Sequence, residues 1–207
     1  MRSRQSNVSH SLKRIFLLLF VIVLALPAWA QRGAMTVPRN LSQLTDRAAY
    51  IVRGNVISAQ VEKHPEFTNL NTVVVTVRVK ETLKGQTGRT FTFRQFIWDI
   101  RDRYDAAGYK KGEELLLMMI APNQYGLSSP AGLQQGRFRI LRDKTGKEHA
   151  VNGQGNFKLF EGMGTDLARK GITLSAKSSG LVTKHRAGPV AVEDLTGLIR
   201  ELTQESK

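Results

Sequence analysis

The chain contains no cysteine. That absence excludes disulfides, a thiolate nucleophile, a zinc–thiolate site and a lipid anchor attached through a lipobox cysteine. The usual catalytic signatures are missing as well: GxSxG, HExxH, GxxxxGK[ST], and a GxGxxG between strand and helix. Histidine is scarce. His10 lies in the first thirty residues, and His64, His149 and His185 are isolated in sequence, without the close His/Glu spacing of the common metal motifs. Each reads as a surface or turn histidine. These absences leave no residue to assign as catalytic, none as a metal ligand, and no cofactor. Triads assemble across a fold, however, so a hydrolase with dispersed acidic and histidine residues stays open.

Acidic residues are also in short supply, 17 against 31 Lys and Arg. Four of the basic residues, Arg2, Arg4, Lys13 and Arg14, precede the apolar run IFLLLFVIVLAL (15–26), followed by Pro27 and Ala28-Trp29-Ala30. A basic start, a short apolar core and an A-x-A site describe a signal peptide, 1–30, cleaved between Ala30 and Gln31. The run is too short to span a bilayer, which takes about 20 apolar residues. The protein is therefore expected outside the cytoplasm, periplasmic or extracellular. Without the leader, 27 basic and 17 acidic residues remain, a net charge of +10. An anionic partner follows from that balance: envelope lipid, lipopolysaccharide, cell-wall polymer or an acidic protein, rather than nucleic acid. Peripheral contact with a membrane surface is compatible with it. So is a merely solvated basic surface.

What remains, 31–207, suits one domain. Residues 31–39 read as a flexible start. Asn40 before LSQLTDRA, with Gln43 three residues on, forms an N-cap and capping box, with Leu41, Leu44 and Ala48 on one helical face. AYIVRGNVISAQV (49–61) is a strand in which Tyr50, Val52 and Val56 share a face and Gly54 marks a bend. TVVVTVRVKETLKG (72–85) alternates, its odd-numbered valines facing a core. RTFTFRQF (89–96) alternates again. Ile97, Ile100 and Tyr104 at i, i+3, i+7, with Gly108 beyond, predict a short helix over 98–108. EELLLMMIA (113–121) suits a strand buried on both faces. RFRILR and KEHAVN flank the turn Asp143-Lys144-Thr145-Gly146. Residues 153–190 carry seven glycines between 153 and 188 and read as an irregular segment that wraps the body or lacks order. VEDLTGLIRELTQ begins a C-terminal amphipathic helix, 191–207, with Leu195, Leu198, Ile199 and Leu202 on one face.

Three strands, a helix and two strands is the order of an OB-fold, so the expected fold is mainly β: a small OB-like closed barrel over 40–152 with short helices at the N-terminus, between strands 3 and 4, and at the C-terminus. An open, twisted α+β sheet with the terminal helices packed on it is the rival. AAYIVRGNVISA, the long strand ending in VKETLKG, GEELLLMMI and GLSSPAGLQQGRFRI together resemble an exported bacterial family of unknown function, itself similar to netrin-like, or TIMP-like, OB barrels. The resemblance implies a barrel that binds another protein. Its metalloproteinase inhibitors reach zinc with an N-terminal cysteine; Gln31 stands in that place here, so zinc-directed inhibition does not carry over.

Two surfaces are candidates for recognition. Arg94, Trp98, Arg101 and Arg103 interleave cations with an aromatic ring, a composition that stacks on planar groups or anchors a protein; the alternative packs Trp98 in the core beside Phe96. In YGLSSPAGLQQG (125–136), Ser128, Ser129 and Gln135 offer hydrogen bonds to an anion or peptide. Asp99, Asp102 and Asp105 are spread over too long a stretch for one cation and lack an EF-hand loop. Asp99 with Arg103, and Arg101 with Asp105, instead have the spacing of helix-surface ion pairs. The reading that follows is an exported binding module for a protein or anionic envelope component. A hydrolase, and a structural protein that assembles through its tail, are the alternatives.

Overall fold

The computed structural model describes residues 36–204. The expected signal peptide 1–30, its expected cleavage site, residues 31–35 and the last three residues lie outside the described residues. Among the described residues the chain forms a mainly β structure, a seven-stranded antiparallel sheet with four α-helices. In chain order these are α1 (Leu41–Arg47), β1 (Tyr50–Lys63), β2 (Asn71–Lys84), β3 (Thr90–Phe96), β4 (Glu114–Met119), β5 (Arg137–Arg142), β6 (Glu148–Asn152), α2 (Met163–Lys170), α3 (Ala176–Lys184), β7 (Val190–Ala191) and α4 (Val192–Gln204). The strand order is β3-β2-β1-β4-β5-β6-β7.

α1 begins where the sequence places its cap. The Asn40 side chain accepts from the Gln43 amide at 3.0 Å, one of the donors that a helix start leaves unpaired. The same side chain donates to Asp166 of α2 at 2.8 Å, and Gln43 donates to that carboxylate at 2.9 Å. The hydrogen bond from Asn40 holds the Asp166 carboxyl below its usual range against the opposing effect of burial, with Gln43 and Arg169 adding to it. A depressed carboxyl stabilises the fold above its unfolded value of about 3.9 and loses that contribution as the pH falls through the folded value. Asn40→Ala is thus expected to cost about 1–2 kcal/mol near neutrality, the usual effect of losing a cap. It should also flatten the acid limb below about pH 4, as read by urea melts at neutral and acidic pH. An unchanged acid limb would contradict the role of Asn40.

β1 and β2 pair over their whole length, and the register slips between Ile51 and Val52, Arg53 and Gly54, and Val56 and Ser58. These irregularities bend and coil the ribbon, and strand alternation sends side chains to a core on each face of the sheet. On one face Val52, Val56, Val73, Val75, Val77, Phe93, Ile97, Tyr109, Leu115, Leu117 and Met119 form a cluster. On the other, Ile51, Leu116, Met118, Phe138 and Ala150 pack against Leu41, Leu44, Met163 and the apolar face of α4. The continuous apolar run of β4 is therefore divided between two cores, and all five of its residues from Leu115 to Met119 are buried.

The sheet does not close. Its edges are β3 and β7, which corrects the expected closed barrel. Closure would require β4 to meet a strand that returns to β3. Instead β5, β6 and β7 extend the sheet beyond β4 and lie under the C-terminal helices. Isolated bridges, Arg94 to Leu127 and Met119 to Pro130, carry the 127–130 segment between β3 and β4.

Two further expectations are corrected. Residues 98–108 are not an α-helix but two short 3-10 turns, Ile100–Arg103 and Ala106–Gly108, with Ala106 and Ala107 at φ of 51° and 55°. The segment 153–190 is not irregular throughout, because it contains α2, α3 and the first residue of β7. Ser175 caps α3, and Glu201 of α4 accepts from the Ser175 amide, the Ser175 hydroxyl and the Ser178 hydroxyl. Burial works to raise the Glu201 carboxyl, but these donors pull it below its ordinary value. The apolar side of α4, Leu195, Leu198, Ile199 and Leu202, is buried in the protein's own core, so that helix face is not presented to a neighbouring chain. Among the described residues no helix is long and apolar enough to cross a membrane.

Candidate functional site

Three loops meet at the C-terminal end of β3. The β1–β2 loop is held by His64, a buried ring whose Nδ1 accepts from the amides of Glu66 and Phe67, each at 3.2 Å. Nδ1 is thereby an acceptor and Nε2 carries the proton, which it donates to the Tyr125 carbonyl at 2.9 Å. This bond ties the first loop to the 120–136 loop, where Tyr125 meets Phe67 edge-on at 5.2 Å. The 120–136 loop reaches β3 through the Ser128 amide, which donates to the Arg94 carbonyl at 2.8 Å. The third loop leaves β3 at Ile97, whose amide donates to Asn71 at the start of β2. The two candidate recognition segments are therefore adjacent.

Within them the residues differ in what they can still bind. The Arg94 guanidinium donates to the Thr72 hydroxyl at 2.8 Å and to Glu62 at 2.6 Å, so two of its nitrogens are already engaged by neighbouring strands. Ser128 is buried and its hydroxyl donates to the Ile120 carbonyl at 2.7 Å. The Ser129 carbonyl accepts from the Ile120 amide at 3.0 Å, and its side chain is half-buried. Gln135 is buried. It accepts from the Arg39 amide at 2.7 Å and donates to Thr36 and Val37, clasping the segment before α1.

The loop after β3 is different. Trp98 is 65% exposed, Ile100 65% and Tyr104 89%. Trp98 does not enter the core; it rests edge-on against Phe96 at 5.0 Å with its outer face in solvent. Asp99 caps the first 3-10 turn by accepting from the Arg101 amide at 2.9 Å and also holds the Arg101 guanidinium, which raises the pKa of that arginine. This pairing replaces the expected partnerships of Asp99 with Arg103 and Arg101 with Asp105, because the backbone is not α-helical there. Asp105 caps the second turn through the Gly108 amide. Arg103 is exposed.

The far end of this loop is fixed by a residue that the sequence reading did not single out. Arg137, on β5, is only 7% exposed. Its guanidinium lies 3.8 Å above the Tyr109 ring, donates to the Ala107 carbonyl at 2.9 Å and to the Gly108 carbonyl, and stands 3.5 Å from Glu113. Tyr109 is buried, its hydroxyl donates to Gln95 of β3 at 2.8 Å, and burial pushes its phenol up to about 12. Nothing in RFRILR separates Arg137 from its neighbour Arg139, since both fall on the outward side of an alternating strand. The signal would have been the glycine at the end of the loop, whose carbonyl needs a donor.

The remaining titratable groups do not converge. His149 lies 3.1 Å from Asp143, in the β5–β6 turn and partly exposed, and the same carboxylate already accepts from Thr145. The His185 ring is bonded to the Gly188 carbonyl at 3.1 Å. Among the described residues no three His, Asp or Glu side chains are placed to hold one metal ion. A shallow depression of about 520 Å³ between α3 and α4 is lined by Lys177, Lys184, His185 and Asp194, with Lys177 paired to Asp194 at 2.6 Å. Comparison with family models, with curated proteins and with solved structures finds no match to this chain.

Proposed function

We propose that the protein is an exported, non-catalytic binding module that recognises a protein or an anionic envelope component through the loop after β3, flanked by the 120–136 loop. The observation that carries the reading is the outward presentation of Trp98, Ile100 and Tyr104, interleaved with Arg101 and Arg103. Large aromatic and arginine side chains dominate the energetics of binding surfaces. Scattered single apolar residues need no explanation, but three in seven positions on one loop do. Export rests on the leader pattern, and the bent β1, the long β1–β2 ribbon and the 127–130 bridges keep an opened OB-like, netrin-like ancestry as part of the proposal.

The test is a pull-down from envelope extract at low and moderate salt, comparing the wild type with Trp98→Ser/Tyr104→Ser. Retention of the partner should fall by about thirtyfold or more in the variant, the loss of one hot spot of at least about 2 kcal/mol. Failure of the wild type to retain any partner at either salt, or equal retention by the variant, would reject the reading. Mass spectrometry of the protein from the producing cell should place its first residue at Gln31.

A further inference from the structure

Among the described residues, β5, β6 and β7 carry helices on one face only. Phe138, Ile140, Ala150 and Val190 face that side. By strand alternation Arg139, Leu141, His149, Val151 and Ala191 face the other, and the pairing sets Arg139 opposite Val151 and Leu141 opposite His149, which lies beside Ala191. Leu141 is 44% exposed at the middle of this uncovered face.

Cations surround it. Arg139 lies on the face, Lys144 and Lys147 are in the turn of the same hairpin, and Lys110 and Lys111 form the turn that leads into β4. Because Leu115 of β4 pairs with Arg139, that turn is brought alongside the distal half of the hairpin. All five are exposed, and none makes an ion pair with another described residue. The neighbouring acids are held elsewhere. Asp143 is turned into its own loop, accepting from the Thr145 hydroxyl, the amides of Thr145 and Lys147, and His149. Glu148 is paired with Arg53 and Arg142, and Glu113 faces Arg137. The result is a basic surface around an exposed apolar side chain, Leu141.

We infer that this uncovered face of the β5–β6 hairpin is a docking surface for an anionic phospholipid membrane. Lysines spread along a hairpin and a neighbouring turn match a surface of repeated phosphates better than a single small anion, which is bound by converging donors. Basic residues next to an anionic bilayer each add to the attraction, and the effect decays within a Debye length. The exposed leucine sits where it can enter the headgroup layer. The surface is independent of the loop after β3 and does not rest on the function proposed above.

The experiment is vesicle co-sedimentation of the protein as its producing cell leaves it. Vesicles of phosphatidylglycerol mixed with phosphatidylcholine are set against phosphatidylcholine alone. The wild type should bind the anionic vesicles preferentially and release them as salt rises. Lys110→Gln/Lys111→Gln/Lys144→Gln/Lys147→Gln should weaken that binding by about tenfold or more, and Lys144→Gln/Lys147→Gln alone by several-fold. A variant of equal charge change, Arg47→Gln/Arg89→Gln/Lys184→Gln/Arg186→Gln, should stay within about threefold of the wild type, and Trp98→Ser/Tyr104→Ser is run beside it to tell this face from the loop after β3. All these positions are exposed, and thermal melts confirm that each variant folds. Equal losses in both charge variants would reduce the effect to net charge and overturn the assignment. So would wild-type binding that ignores lipid charge, loss confined to the Trp98 and Tyr104 variant, or tighter binding of duplex DNA that depends on the same lysines.

Discussion

Gly54→Ala should lower the melting temperature by more than about 10 °C, and Gly54→Val should leave little soluble protein. A Cβ at position 54 would stand 2.1 Å from the Arg78 carbonyl oxygen, 2.7 Å from Cγ1 of Val77 and 2.9 Å from the Arg78 carbonyl carbon. Two of these three atoms are backbone, so no rotamer change relieves the overlap. The position also lies at a register slip, between Arg53 and Gly54, where the backbone of β2 approaches β1 closely. Separating the strands would disturb both cores at once, because Val52 and Val77 fill one and Ile51 the other. Mutations with such effects exceed about 4 kcal/mol, and at this chain length each kcal/mol corresponds to about 2–4 °C. A circular dichroism melt of Gly54→Ala within a few degrees of the wild type would refute the account.

Gly54 also shows what is legible in the sequence and what is not. A glycine inside an alternating pattern announces a bend, and the valines of β2 and the apolar run of β4 announce burial; all of these are local properties, and the structure has them. The N-cap of α1 and the turn at 143–146 are legible for the same reason. Whether bent strands meet to close a barrel depends on what occupies the far side of β4. That is decided by α2, α3 and α4, whose apolar faces need β5 and β6 laid open beneath them. Two of those helices were hidden because they are short and interrupted by Gly164 and Gly180. Their stability comes from Met163, Leu167 and the Ser175–Glu201 clasp rather than from propensity.

The candidate site divides along a similar line. Residue type marks Arg94, Ser128 and Gln135 as able to bind, but it does not reveal which donors the fold has already engaged. Those three turn inward to Glu62, Ile120 and Thr36, while Trp98, Arg101, Arg103, Ile100 and Tyr104 are left outside. The i, i+3, i+7 spacing of Ile97, Ile100 and Tyr104 imitates a helix face. Only Ile97 is buried, because Asp99 and Asp105 cap two short turns and the chain then passes through three successive residues of positive φ, Ala106, Ala107 and Gly108. Such a path is costly for alanine. It persists only where the surroundings hold it.

Arg137 is what holds it, and Arg137→Met should cost about 3–5 kcal/mol, the range for removing one partner of a buried charged pair. That corresponds to a fall of about 10 °C in melting temperature. The methionine would keep some packing over Tyr109. It would leave the Ala107 and Gly108 carbonyls without their donor and Glu113 without its counter-charge, and Oε2 of Glu113 is already buried with no hydrogen bond of its own. Arg137→Lys should recover little, because one ammonium cannot bond two carbonyls while lying flat on a ring. Adding Glu113→Gln to Arg137→Met should recover part of the loss by neutralising the stranded carboxylate. The loss should also be local: amide exchange should quicken across 99–109 before it does in β1 and β4, whose cores do not depend on the guanidinium. If the loop after β3 recognises a partner, the same substitution should weaken binding at temperatures where the sheet is intact, since an unanchored loop must be ordered on association. A melting temperature within about 3 °C of the wild type, or exchange in 99–109 that does not change, would remove Arg137 from this role.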